Sequence, residues 1–296
     1  MLVAAFTAVI FGACGTPPTQ PGPQPPPIQP PPANAAPVIQ SVTATLPPRA
    51  EVDTDIAITA AVTDAESAVT ALTFEWTTTA GTVTGSGASA VWRLATGAAM
   101  TPVEARVTVV VREGYDALDN GVIVRREHRV EMTSAPFRVH DSRAEIAALA
   151  TTFLQRFADN RVTPAMCVED FLASCGGRDA ELEDIEGVRR GRDIRAATIG
   201  TPVVSLAPGA NTADAEVPCR FESIVIEKID ANDPFLPGDR VEADARCHLT
   251  ARFEQNRWWL CDSSADGDEI KIGAATRNRR TGLRSIGALL MGGKGR

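Results

Sequence analysis

The segment Arg240-Val241-Glu242-Ala243-Asp244-Ala245-Arg246-Cys247-His248-Leu249-Thr250-Ala251-Arg252-Phe253-Glu254 alternates apolar and polar side chains without a break. Successive side chains of a strand point to opposite faces. Val241, Ala243, Ala245, Cys247, Leu249, Ala251 and Phe253 therefore share one side, and Glu242, Asp244, Arg246, His248, Thr250 and Arg252 share the other. The pattern predicts a long antiparallel strand with one covered face and one wet face. Residues 215–227 before it and 257–263 after it read as its neighbours. Upstream the period changes. Ser142-Arg143-Ala144-Glu145 reads as a capping box, and Ile146, Leu149, Phe153 and Phe157 follow at helical spacing. Thr163-Pro164 is a second helix start, and Leu182, Ile185 and Val188 mark a third helix. The acidic and basic residues between them, Glu181 included, read as a solvated face. Residues 141–272 are thus expected to form an α+β unit, helices first and sheet last.

Residues 38–139 carry period-two runs broken by turn residues, the signal of an all-β sandwich. Ile56, Ile58, Ala60 and Val62 form one inward row. Leu72, Phe74 and Trp76 form another, and Ala105, Val107, Val109 and Val111 a third. Gly81, Gly85, Gly87 and Gly97 fall between runs, where turns need small residues. The fold class expected for the chain is multidomain, a sandwich followed by helices packed on a curved antiparallel sheet.

Two resemblances attach to these residues. Ala36-Pro37-Val38-Ile39, Val62-Thr63-Asp64, Leu72-Thr73-Phe74-Glu75-Trp76 and Ala90-Val91-Trp92 resemble an immunoglobulin-like domain of the polycystic-kidney-disease type, with Arg112 to Asp116 at the position of its aspartate-glycine. Such domains serve as spacers, adhesion units and binding modules. The helices, the long strands and the closing run Phe253 to Cys261 resemble the nuclear-transport-factor-2-like, cystatin-like cone. That resemblance implies either a binding module or an enzyme of the cyclase or isomerase kind, with an inward Asp, Tyr or His moving protons.

The N-terminal residues say where the molecule sits. Residues 1–13 are apolar but too short to span a bilayer, and Phe11-Gly12-Ala13-Cys14 resembles the lipobox of a bacterial lipoprotein signal. No Lys or Arg precedes the apolar run; an upstream start codon would account for that. Cys14 is the expected lipidation site and the mature N-terminus. Residues 14–37 form a Pro-rich linker that cannot bury a core and favours polyproline II. From Pro17 to Pro37 it would reach on the order of 65 Å at about 3.1 Å per residue. The resemblance implies a lipid anchor in the cell envelope, and Gly15 without a following Asp favours the outer membrane.

With 296 residues, 44% hydrophobic content and a net charge of -8, the chain is expected to be globular. Nucleic acid is not an expected partner at that charge; the membrane, through the lipid, and an envelope protein or polysaccharide are. Residues 273–296 form a basic tail that reads as a flexible end or a contact with anionic polymer.

Export places the cysteines in an oxidising compartment. Parity puts Cys219 and Cys247 on the covered face, and they are the favoured disulfide pair. Cys167 with Cys175 is the second candidate, if the helix breaks between them. Cys261 depends on the preceding turn: two residues at Gln255-Asn256 would send it outward, three inward. With no Cys-x-x-Cys and no His at ligand spacing, a zinc site is not expected.

No catalytic residue, metal or cofactor is expected. The inward positions of the long strands are Ala, Val, Leu, Phe and Cys, and His248 lies on the outer face. Asp159, Glu169 and Asp170 are the helical carboxylates with a route to a pocket. Asp64, Glu66 and Asp116 are loop acids able to meet around Ca²⁺, and equally able to solvate turns. The expected function is a non-catalytic envelope lipoprotein that displays a binding module above a sandwich spacer. The alternatives are a cyclase- or isomerase-like enzyme and a carbohydrate-binding adhesin, the latter resting on an exposed Trp92.

Overall fold

The computed structural model describes residues 29–228, 233, 235–271 and 277–278. Cys14, most of the Pro-rich linker and the basic tail from residue 279 lie outside the described residues, as do 272–276. The described residues are mostly β and build several sheets around two large cores and a small cluster of Val225, Phe235 and Val241.

In the first unit the strands are β1 (Val38–Thr45), β2 (Ala50–Glu51), β3 (Ile56–Thr63), β4 (Thr73–Thr78), β5 (Thr82–Thr84), β6 (Ser89–Arg93), β7 (Val103–Ala105), β8 (Val107–Asp119), β9 (Val122–Thr133) and β10 (Phe137–His140). One sheet has the order β1-β3-β6-β5 and a second β4-β8-β9, while β2, β10 and β7 make a small third. β3 alternates buried and exposed along its whole length, as its sequence requires. Ile56, Ile58 and Trp92 from the first sheet share a core with Phe74, Val107, Val109 and Val111 from the second. Trp92 is 0% exposed; its indole N–H donates to the carbonyl of Ala80 at 2.8 Å, and its ring meets Phe137 edge-on at 5.0 Å. A buried ring with a satisfied N–H cannot stack on a sugar, so carbohydrate adhesion through Trp92 is corrected. β8 and β9 run past the core as a hairpin. Asn120 and Gly121, both at positive φ, turn it as in a type I′ loop.

The second unit contains α1 (Ser142–Ala158), α2 (Pro164–Cys167), α3 (Gly177–Gly191), β11 (Arg192–Ile199), β12 (Val203–Ser205), β13 (Thr212–Val225), β14 (Arg240–Glu254), β15 (Arg257–Lys271) and β16 (Arg277–Asn278). The sheet order is β11-β13-β14-β15-β16, with β12 also pairing β13. β14 has the bounds its alternation marked. Ile146, Ala150, Phe153, Leu154 and Phe157 of α1 pack on Val217, Phe221, Ala243, Leu249 and Ala251 of the sheet. The small Ala243 and Ala251 let the helix layer come close, and Phe157 meets Phe221 edge-on at 5.5 Å. Each buried Phe contributes about 1.5–3 kcal/mol relative to exposure. Among the described residues no helix is long and apolar enough to cross a membrane.

The helix starts differ in one place. Asp141, not Ser142, caps α1: its carboxylate accepts the Ala144 N–H at 3.1 Å, and Glu145 returns a bond to the Asp141 N–H at 3.2 Å. The Ser142 hydroxyl is used elsewhere, as described below. Thr163 and Pro164 open α2 as expected, although that helix lasts only four residues.

The disulfide is Cys175–Cys261, with Cα atoms 5.2 Å apart, while Cys167, Cys219 and Cys247 are buried thiols. Both expected pairings are thus corrected. In the β13–β14 register Cys219 faces Ala245 and Cys247 faces Val217, two residues out of step. That register lets Arg246 reach Glu216 at 3.2 Å and Arg220 reach Glu242 across the wet face. Cys261 reaches Cys175 because of a bulge. Glu254 pairs with Arg257 across a two-residue turn in which Gln255 and Asn256 both have positive φ. Leu260 then faces Ala251 and Asp262 faces Thr250, which leaves Cys261 as the extra residue. Before it Trp258 and Leu260 point inward; after it Ser263 and Ala265 do. Cys175 is brought alongside by the bond from the Leu172 N–H to the Leu260 carbonyl at 2.7 Å. At Gly177 a Cβ would come within 2.3 Å of the Cys261 carbonyl oxygen, so only glycine allows this approach.

Because the bridge closes a loop with a sequence separation of 86, reduction or Cys175→Ser should lower stability by about 2–4 kcal/mol. Urea unfolding with and without reductant measures this; coincident curves would mean the bond is not formed.

Candidate functional site

The two units meet through a buried polar network. Glu51 of β2 accepts the backbone N–H of Ser142 at 3.1 Å and its hydroxyl at 2.5 Å, and it pairs with Arg49. The Trp258 indole N–H donates to the Ser142 oxygen at 2.8 Å. The Arg49 guanidinium lies 4.8 Å from the Phe253 ring centroid and 4.9 Å from that of Trp258, and it donates to the Ala210 carbonyl at 3.0 Å. His140, buried at the end of β10, bonds Glu145 through Nδ1 at 3.0 Å and Asn256 through Nε2 at 3.3 Å. Every group in this seam has a partner on the other unit or on the helix between them, so the units are held in one arrangement.

Beside the seam lies a cleft of about 790 Å³. Pro47 and Pro48 from the β1–β2 loop, the first turn of α1, and Leu206, Ala207 and Pro208 from the β12–β13 loop form its walls. The lining is chiefly apolar, and Arg143 is held across one wall by the carbonyls of Val204 and Leu206. A junction cleft with apolar walls and a few fixed polar groups suits a ligand or a protruding chain segment.

A second feature lies inside the sheet unit. Glu181 is 3% exposed and shares the inward stripe of α3 with Ile185 and Val188. Burial pushes its carboxyl up to about 8, and Asp184 and Asp262 add to the rise against a hydrogen bond from Ser263. The other carboxylate oxygen, Oε1, has no donor within the protein. The sequence reading as a solvated face is corrected at this residue. Spacing of four to Ile185 and seven to Val188 was the signal that could have found it. The Cys247 thiol is pushed up by its hydrogen bond with Cys219 and then by burial, and burial likewise raises Cys167. These thiols are therefore poor nucleophiles.

The remaining expected residues are dispersed. Hydrogen bonds from Arg161 hold the Asp159 carboxyl down near about 2. Arg156 pairs with both Glu169 and Asp170, and Arg257 also binds Asp170, so none of the three enters the core. His248 lies on the outer face, 3.6 Å from Asp266. Asp64 and Glu66 stand near one another, whereas Asp116 pairs with Arg125 on the hairpin and does not join them. Glu113 does, although it went unread. It continues the inward row of Val107, Val109 and Val111. Among the described residues no three His, Cys, Asp or Glu side chains form a metal-ligand group.

No family model matches the chain, and no curated protein matches it. Among solved structures it is similar to a protein from Novosphingobium aromaticivorans provisionally described as an aromatic ring hydroxylase. The identity is 13%, over 47% of this chain and 94% of that one, with a TM-score of 0.33. A likeness at that score carries neither fold nor activity to this chain.

Proposed function

We propose that this protein is a non-catalytic cell-envelope lipoprotein that presents an α+β binding unit from an immunoglobulin-like β spacer. In this reading the second unit is a nuclear-transport-factor-2-like cone, Cys14 carries the acyl chain, and the junction cleft receives an envelope protein or polysaccharide. The bonded junction supports it most, because Glu51 and Ser142 line the cleft and are tied to one another, with Trp258 donating to Ser142 behind them. The position of the linker also fits, since the chain enters the sandwich ahead of β1 and the cleft lies beyond the other end of that strand. The Cys175–Cys261 bond suits an oxidising compartment.

The test is recovery of the protein from cells. Membrane association with an acylated Cys14 and a cross-linked Cys175–Cys261 peptide is the expected outcome, and Cys14→Ala should release the chain. A cytosolic, unacylated, fully reduced protein would overturn the reading. For the cleft, Ala207→Trp should weaken sedimentation with purified envelope polymer or partner at least tenfold, leaving the unfolding midpoint unchanged.

Glu181 favours a second reading, a proton-transfer enzyme of the cyclase or isomerase kind. A buried carboxyl near neutrality is what such chemistry uses. The junction cleft is not lined by Glu181, so a substrate would need another route to it. Turnover of a carbonyl substrate that Glu181→Gln abolishes would establish this reading in place of the first.

A further inference from the structure

Where the linker reaches the sandwich, five polar side chains converge. Asn34 donates through Nδ2 to Glu113 Oε1 at 3.0 Å, and the Ser67 hydroxyl donates to the same oxygen at 2.5 Å. Asp64 Oδ1 accepts the backbone N–H groups of Glu66 at 2.9 Å and Ser67 at 2.6 Å. Glu66 Oε2 accepts the Ala35 N–H at 3.2 Å. One oxygen of each acid is thereby satisfied.

The second oxygens of Asp64 and Glu113, and the Asn34 amide oxygen, are not. Glu113 Oε2, Asp64 Oδ2 and Asn34 Oδ1 are buried and have no donor within the protein. Glu113 is 3% exposed and belongs to the inward row of β8, so its free oxygen cannot turn to solvent. Among the described residues no Lys, Arg or His makes an ion pair with Asp64, Glu66 or Glu113; His128, opposite Glu113 across β8 and β9, stacks on Tyr115. Arg112, the neighbour of Glu113, is held on the other face of the sheet by Glu75 and Glu127.

Three buried acceptors without a donor, amid three negative charges without a counter-ion, are costly unless something positive joins them. The bonds through Asn34 and Ser67 bring the three residues together, a hard cation among them would answer both the oxygens and the charge, and an all-oxygen set selects calcium over zinc. Two carboxylates and an amide, rather than three acids, make the set. We propose that Asn34 Oδ1, Asp64 Oδ2 and Glu113 Oε2 bind Ca²⁺ at the root of the Pro-rich linker and that the ion fixes the linker to the sandwich. Ca²⁺ takes six to eight oxygen ligands, so water completes its shell, and affinity on the order of 10⁻⁴ to 10⁻³ M is expected for an extracellular module of this kind. The site is independent of the junction cleft and of acylation at Cys14.

The full chain, purified in detergent, tests the proposal by calorimetric titration with CaCl₂ and by thermal unfolding in Ca²⁺, Mg²⁺ or chelator. Saturating Ca²⁺ should raise the unfolding midpoint by several degrees, with Mg²⁺ far less effective. It should also slow protease cleavage between the linker and β1. Asp64→Asn and Glu113→Gln should each weaken Ca²⁺ binding at least tenfold, and Asp116→Asn should not. If Glu113→Gln fails to fold, the wild-type titration and Asp64→Asn decide. No heat in the wild type, unchanged affinity in Asp64→Asn, or equal responses to Mg²⁺ and Ca²⁺ would overturn the proposal.

Discussion

Replacing Glu181 by glutamine is expected to abolish a fall in stability that the native chain undergoes between about pH 4.5 and about pH 8. The folded protein holds the Glu181 proton up to about pH 8, whereas the unfolded chain releases it near the ordinary glutamate value of 4.5. Between those values the native state binds more protons, so stability declines as pH rises and levels off above the folded value. The full span corresponds to about 5 kcal/mol at most. Glutamine keeps an acceptor for the Ser263 hydroxyl and cannot ionise. Urea unfolding at pH 5, 6.5 and 8, in steps chosen to bracket that range, should show the variant losing this slope and exceeding the wild type at the highest pH. Parallel pH profiles for the two proteins would show that Glu181 is not buried as described. At neutral pH the side chain is mostly a neutral acid, which is why a carboxyl can sit among Ile185, Val188 and the strands without a counter-charge.

The second large effect is expected at the junction. Glu51→Ala removes the acceptor of the Ser142 N–H and hydroxyl and the partner of Arg49 in one change. Arg49, with 6% of its side chain exposed, would keep a buried charge supported only by the Ala210 and Asn211 oxygens and two aromatic rings. The cost should be about 3 kcal/mol or more. Fluorescence of Trp258, whose N–H depends on Ser142, should change with it. Glu131→Ala, which breaks an exposed pair with Arg129, should cost under about 0.5 kcal/mol and serves as the control. A double-mutant cycle of Arg49→Met with Glu51→Leu isolates the coupling. Glu51→Ala as stable as the control would mean that the units are not joined through this seam.

Particular residues show where reading the chain succeeds. The alternation of β14 marked both its ends, and the inward rows of β3 and β8 are the ones their side chains proposed. Gln255-Asn256 makes one of the two turns left open. Yet that turn alone did not locate Cys261, because parity arguments assume an unbroken period and the bulge resets it. At Ser142 the motif was displaced by one residue, since a hydroxyl able to cap its own helix found Glu51 and Trp258 from distant segments instead. At Glu181 the periodicity was correct and the chemistry was read against it: the position is inward, and its charge was taken as a reason to turn it out. Glu113, also inward, went unread.

Alone, the amino-acid order determined the period of the long segments and a β-rich chain of several sheets, because side-chain direction along a helix or strand is set by the local backbone. The tertiary structure decided which cysteines meet, which acids are buried and how the two bodies interlock. Those outcomes depend on strand register and on contacts between residues tens of positions apart, where many small pairings compete and no local pattern records the winner.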